Sequence, residues 1–229
     1  MRYQYPDTVI QVFCKAPQTG KVKTRLMTES ISAEQAMQVH IELTERVLKL
    51  LHNAALCPVQ LWCSPTIEFD FFQQLAAKYS LSLHQQSDCG LGERMFDALN
   101  AGLQDFKQVL LIGCDCPSLI ADDFKQAIIA LKNGADVVLA PTEDGGYILI
   151  GVNEPQTAVL SDVDMPWGTG QVLAITRERL KQQNLKGYEI RQQWDIDTPE
   201  DLARYRALSL QHSAHFTRQN NTTSTIQRR

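Results

Sequence analysis

The chain has 229 residues, 44% of them apolar and 21% charged, with a formal net charge of −4. That composition supplies the core of one α/β domain. It lacks the basic surface that phosphate-backbone binding requires, which speaks against a general nucleic-acid binder while leaving room for a small phosphorylated ligand held by a local cluster of donors. No apolar run reaches the ~18 residues of a membrane span, and the opening MRYQYPDTVI has no apolar signal-like stretch, so a cytoplasmic protein is expected.

In chain order, Thr8–Cys14 (TVIQVFC) is a β-branched and apolar run that predicts a first strand. The loop Lys15–Thr24 follows, marked by Pro17 and Gly20. Ser32 and Gln35 form a capping box. Beyond them Ala36, Met37, Ile41, Val47, Leu48 and Leu51 fall at helical spacing. Val59–Cys63 reads as a strand, Glu68–Tyr79 as a helix, Leu81–Gln86 as a strand and Glu93–Gln104 as a helix. Gln108–Gly113 (QVLLIG) is a buried strand by its unbroken apolar run. Ala121–Asn133 is a helix stopped at Gly134. Asp136–Ala140 and Tyr147–Val152 are two strands around a turn. Val172–Gln183 is a helix, Tyr188–Arg191 a late strand, and Pro199–Leu208 a closing helix with proline in its first turn. Residues 1–210 are expected to form one domain. The polar tail 211–229 is predicted disordered.

Strands alternating with helices predict a mostly parallel sheet covered on both faces, a three-layer α/β/α sandwich. Such folds bind ligands at the carboxyl ends of their strands, and this chain collects its unusual polar residues there. Lys15, Lys21, Lys23 and Arg25 surround Gly20 directly after the first strand, a pattern suited to cradling phosphates. The glycine and Ser/Thr positions of a P-loop are not met, nor is a dinucleotide fingerprint. Asp115 leaves the sheet after Gln108–Gly113 and offers a hard oxygen ligand for Mg²⁺ or Mn²⁺; a turn-capping role is the alternative. Asp144, in Glu-Asp-Gly-Gly, is either a base toward an acceptor or ordinary hairpin chemistry. Asp195 and Asp197 precede the closing helix and are candidates for a second metal ligand, with Asp197 or Thr198 the candidate cap of that helix. In Gly90-Leu-Gly-Glu-Arg94, Gly92 admits a base against the backbone and Arg94 reaches a phosphate, or the segment is a plain turn into a helix.

None of the five histidines sits in a catalytic spacing. Cys14, Cys57, Cys63, Cys89, Cys114 and Cys116 read as reduced thiols, because the core is large enough to need no staples. Cys114-Asp-Cys116 has no second Cys/His pair at zinc spacing, so no structural zinc is expected from it.

The segments FCKAPQTGKVKTRL, GLGERM, LLIGCDCPSL, APTEDGGYILIG and WDIDTPEDL, in this order from Val9 to Leu208, resemble the family labelled DUF2064, described as GT-A-fold glycosyltransferases associated with radical-SAM gene clusters. The resemblance implies a nucleotide-diphospho-sugar transferase fold and kinship with cofactor nucleotidyltransferases. By that likeness Lys15, Gly20, Lys23 and Arg25 hold phosphates, and Asp115 binds the metal with Asp195 or Asp197 completing its shell. One departure is that Pro117 stands where GT-A enzymes carry the second Asp of Asp-x-Asp. The implied activity is metal-dependent glycosyl transfer from a nucleotide-diphosphate sugar to a small-molecule acceptor. NTP-dependent nucleotidyl transfer is the alternative, and a nucleotide-binding accessory protein without turnover a third reading.

Overall fold

A computed structural model describes residues 2–208. The expected tail 211–229 and the boundary at 210 lie outside them. Seven strands form one sheet in the order β3-β2-β1-β4-β6-β5-β7: β1 Thr8–Lys15, β2 Val59–Ser64, β3 Ser82–Gln85, β4 Gln108–Ile112, β5 Val137–Pro141, β6 Tyr147–Val152 and β7 Gly187–Glu189. All neighbours are parallel except β6, which runs antiparallel to both β4 and β5. The Asp-Gly-Gly reversal thus closes a hairpin that inserts β6 into an otherwise parallel sheet.

The period of two along the strands builds two apolar layers. Ile10, Val12, Leu110 and Ile112 face helices α1 (Ala33–Ala54), α2 (Asp70–Tyr79) and α4 (Ala121–Lys132). Val9, Val109 and Leu111 face α3 (Leu91–Asp105), α5 (Thr157–Leu160) and α6 (Val172–Gln182). This is the three-layer α/β/α architecture expected. The capping box at Ser32 forms in both directions, and Gly134 follows the C-cap Asn133 at φ +92°. Residues 199–208 are helical (α7). Thr198 caps α7: its hydroxyl accepts from the Asp201 N–H at 3.3 Å, and the Asp201 carboxylate accepts from the Thr198 N–H at 2.8 Å.

Of the two candidate caps of α7, Thr198 takes the role, which leaves the Asp197 carboxylate for other partners. Three details differ from the sequence expectation. The late strand is displaced to Gly187–Glu189 because Arg191 turns aside to grip Asp123 in a bidentate pair, both contacts at 2.7 Å. The chain rejoins the sheet edge only at Gln193, opposite Thr142. α2 begins at Asp70 rather than Glu68, with Phe69 as its N-cap. Helix α5 and the 3₁₀ turn Thr24–Leu26 were not anticipated, since elements this short carry no periodic signal.

A third apolar cluster positions the site. Leu26, fully buried, packs with Ala36, Val39 and Leu43 of α1 and with Ile196 and Leu202. It pins the basic loop after β1 onto the late acidic segment, 170 residues away in sequence.

Candidate active site

The strand order β2-β1-β4 sets the loops after β1 and β4 side by side, and a crevice opens beyond the carboxyl ends of these strands. The cleft there measures about 470 Å³, the size of a small-ligand site. Lys15, Lys21, Arg25 and Arg94 bring cationic side chains to it, and Asp115 and Asp197 bring carboxylates.

Lys23 occupies the centre of this arrangement. Its backbone is left-handed, at φ +49°, and the side chain turns inward until it is only 7% exposed. Its ammonium donates to Asp115 Oδ2 at 3.0 Å, Asp197 Oδ1 at 3.1 Å and the Ile196 carbonyl at 2.6 Å. An ammonium has three N–H donors, so all three have partners within the protein. Burial works to lower the Lys23 pKa, but Asp115 and Asp197 outweigh it and raise it above the ordinary lysine range. The expectation that Lys23 holds phosphate is therefore corrected: it is a tether between the β4 edge and the late acidic segment. Arg25 differs. Its side chain is 64% exposed, lines the cleft and gives one contact to Asp197 Oδ2 at 3.1 Å.

The carboxylates divide likewise. Burial works to raise Asp115, but Lys23 outweighs it and holds the carboxyl below its usual range. Both oxygens of Asp197 are engaged, one by Lys23 and one by Arg25. Asp195 is the strained member: burial, then Asp115, Asp197 and Asp144, push it up to about 7, with Lys23 too weak an opposing influence. Asp195 thus lies within the electrostatic reach of three other carboxylates, of which Asp115 is paired with Lys23 and Asp197 with both Lys23 and Arg25.

The remaining candidates are placed as follows. Asp144 sits in the β5–β6 turn. Its Oδ1 accepts from the Thr142 hydroxyl at 2.5 Å and the Gly146 N–H at 3.0 Å, and its charge reaches Asp195. Gly20, at φ +75°, lies in open space, with no heavy atom within 4 Å of the position a Cβ would take. Gly92 does not line the cleft. Its N–H donates to Asp162 Oδ1 at 2.8 Å, and a Cβ there would stand 2.2 Å from the Leu160 carbonyl oxygen. It is a packing glycine that lets the segment after α5 lie across the α3 N-terminus. Arg94 reaches the cleft from α3. One guanidinium nitrogen donates to Gln86 Oε1 at 3.0 Å, while its buried Nε has no partner among the described residues.

Several residues of this region escaped the sequence reading. Asp162 closes the α3 N-terminus by accepting from Gly92, Glu93 and the Trp167 indole; nothing in the sequence links it to a helix 70 residues earlier. Cys14, His40 and Cys114 line the floor of the same cleft. The Cys114 thiol is held low by the Cys14 thiol and by His40, against burial. Only the chain-distant register of β1 and β4 brings them together.

Residues 47–169 match the model of a family described as uncharacterised protein conserved in bacteria, DUF2064. The chain belongs to the DUF2064 family. Among solved structures, this DUF2064 protein is similar to one from Desulfovibrio desulfuricans G20, provisionally designated a nucleotide-diphospho-sugar transferase. The two are 26% identical, the match covers 84% of this chain and 83% of the other, and the TM-score is 0.75. It also shares its fold with 4-diphosphocytidyl-2C-methyl-D-erythritol synthase from Anaerococcus prevotii DSM 20548 (13% identity, 90% and 99% covered, TM-score 0.59). A third likeness is to CMP:2-keto-3-deoxy-manno-octonic acid synthetase complexed with CTP (12% identity, 90% and 99% covered, TM-score 0.55). No curated protein matches the chain in sequence. The fold of this DUF2064 protein is that of the nucleotide-diphospho-sugar transferases. Among its described residues no helix is long and apolar enough to cross a membrane.

Proposed function

We propose that this DUF2064 protein is a transferase that takes a nucleotide-diphosphate sugar as donor and passes the glycosyl group to a small-molecule acceptor. The observation that carries the reading is the charge pattern of the cleft: Lys15, Lys21, Arg25 and Arg94 line it together with Asp115 and Asp197, and Asp195, close enough to those carboxylates to be raised by them to about 7, lies beside it. A diphosphate bridged to a divalent cation satisfies both signs of charge at once. Lys15, Lys21, Arg25 and Arg94 meet the phosphate oxygens. Asp115 and Asp195 hold Mg²⁺ or Mn²⁺, which when bound neutralises charge on the departing nucleoside diphosphate. Lys23 fixes Asp115 in position, and Asp197 orients Arg25. Asp144, with one oxygen fixed by Thr142 and Gly146, keeps the other for the acceptor hydroxyl, to orient it or take its proton.

Nucleotidyl transfer from an NTP is the second reading. The excess of cations over what two phosphates require favours it, since a triphosphate brings one phosphate more. The products separate the two: glycosyl transfer releases a nucleoside diphosphate from a sugar donor, whereas nucleotidyl transfer releases pyrophosphate from an NTP. Incubation with a panel of both donor classes and Mn²⁺, read by chromatography of the nucleotide products, tests the proposal. Pyrophosphate release with no nucleoside diphosphate overturns it in favour of the second reading. Turnover of neither class, with binding retained, leaves a binding protein.

A further inference from the structure

Beneath the charged cleft lies a second cluster that the transfer reaction does not use. The β1–β4 register pairs Val12 with Ile112. Two residues further along, in the same frame, the chains carry Cys14 and Cys114. Both side chains belong to the apolar layer facing α1. From α1, His40 projects between them: Cys14 Sγ is 3.8 Å from its Nε2 and Cys114 Sγ 4.0 Å from its Nδ1. One ligand atom from each residue lies within 4.8 Å of those of the other two, and all three residues are buried.

Two features separate this cluster from a chance contact of core cysteines. The first is the orientation of the imidazole. Its Nε2 lies 2.8 Å from the Lys15 carbonyl oxygen. A carbonyl only accepts, so Nε2 carries the proton and Nδ1 presents its lone pair toward Cys114. A backbone carbonyl holding the distal N–H is the support that metal-binding histidines ordinarily have. The second is spacing. Bonds of ~2.3 Å to sulfur and ~2.0 Å to nitrogen at a tetrahedral angle separate ligand atoms by ~3.5–3.8 Å; the 4.0 Å from Cys114 Sγ to Nδ1 is close to that, and the three ligand atoms, all within 4.8 Å of one another, need only side-chain rotation to close on one ion. Among the described residues the other buried cysteines have no histidine beside them: Cys63 Sγ donates to the Leu61 carbonyl, and Cys116 turns toward Ser118 and Gln193.

We infer that Cys14, His40 and Cys114 form a binding site for Zn²⁺, with two sulfur ligands, one nitrogen and a fourth position open toward the cleft. The site uses none of the Cys-x-Cys spacing in the sequence, because its ligands come from β1, α1 and the end of β4. Binding displaces the two thiol protons to solvent, and two thiolates balance the dication, so a neutral unit replaces a buried set of polar groups. All three residues line the cleft, which gives the ion an entry path. The site is independent of the carboxylates proposed to hold Mg²⁺ or Mn²⁺: thiolate and imidazole select a thiophilic ion, carboxylates a hard one.

The test uses Co²⁺ as a spectroscopic stand-in on the full-length, reduced, metal-free protein. Titration should produce a thiolate-to-cobalt charge-transfer band in the near ultraviolet that saturates at one equivalent, and one equivalent of Zn²⁺ should abolish it. Cys14→Ser and His40→Gln should each lose at least tenfold in Co²⁺ affinity. Asp115→Asn and Cys57→Ser should retain the band, which distinguishes this site from the acidic one and from the other buried thiols. The wild-type titration decides even where a variant fails to fold. A folded wild-type protein with no charge-transfer band at one equivalent overturns the inference, as does a band that survives in Cys14→Ser. Quantitative formation of a Cys14–Cys114 disulfide with no metal uptake under reducing purification overturns it as well. A tighter response to Cu⁺ than to Zn²⁺, by competition, overturns the choice of ion.

Discussion

Lys23 and Arg25 stand two residues apart in one loop and do opposite work. Lys23 is buried with its three donors occupied inside the protein, whereas Arg25 is largely solvent-exposed. Lys23→Met should therefore destabilise the fold by about 2–3 kcal/mol, less than the ~3–5 of a fully buried pair because Asp115 and Asp197 are each about a third exposed. Arg25→Ala should change stability by under about 1 kcal/mol and weaken donor binding by about 1.5–3 kcal/mol. Urea midpoints and calorimetric titration read the two effects separately, and equal stability losses in both variants would contradict the division. Asp195 supplies the pH dependence. Its folded pKa of about 7 lies above that of an unfolded aspartate, ~3.9. Between those values the folded state holds a proton that the unfolded state has lost. This group's contribution is thus fully favourable at low pH and declines as pH rises from about 4 to 7, then levels off. Asp195→Asn should flatten that segment of the stability–pH curve. Saturating Mn²⁺ should flatten it in the wild type, and an unchanged slope in both cases would remove Asp195 from the proposed cation site.

At the scale of elements, the acidic segment 195–197 is aimed at the basic loop by what flanks it. On one side Arg191 grips Asp123, whose second oxygen also accepts from the Ile120 N–H and so caps α4. On the other side Thr198 and Asp201 cap α7. Arg191→Ala leaves a carboxylate that is 1% exposed without its counter-ion. The expected loss is about 3 kcal/mol, at the low end for a broken buried pair because Arg191 itself is nearly half exposed. Asp201→Ala should cost about 1 kcal/mol, the worth of a cap. Chemical denaturation of the two variants checks the order, and a larger loss for the cap than for the ion pair would refute it. Leu26→Ala tests the third cluster. It removes a fully buried side chain that joins loop, α1 and late segment, so about 2–5 kcal/mol should be lost, together with donor affinity.

For the molecule as a whole, the basic loop, β4 edge, α3 and late segment meet only in the folded state, so donor binding must stabilise that state by mass action. At a donor concentration ~100 times Kd the gain is about 2.7 kcal/mol. For a domain of this size that corresponds to a rise in Tm of roughly 5–11 °C. Differential scanning fluorimetry with donor and Mn²⁺ together, against each alone, measures it. If no nucleotide in a broad panel moves Tm, the cleft does not bind nucleotides under those conditions and the transferase reading falls.

The sequence by itself determined the layer architecture and the edge of the sheet where the charged side chains gather. The apolar runs in β1 and β4, the Ser32–Gln35 box and the Gly134 stop are local signals, encoded in neighbours a few residues apart. The same locality marked Lys15, Arg25 and Asp115, because polar residues immediately after a buried strand must emerge at its carboxyl end. Tertiary structure decided everything that depends on partners distant in the chain. It consigned Lys23 to a buried tether by bringing Asp115 and Asp197 onto one ammonium, and it turned Gly92 into a packing residue by laying Leu160 and Asp162 against it. It raised Asp195 by setting three carboxylates around it, and it assembled Cys14, His40 and Cys114 from three elements. Composition and spacing count residues along one dimension, whereas charge, burial and coordination act through distances in space, which only the folded chain sets.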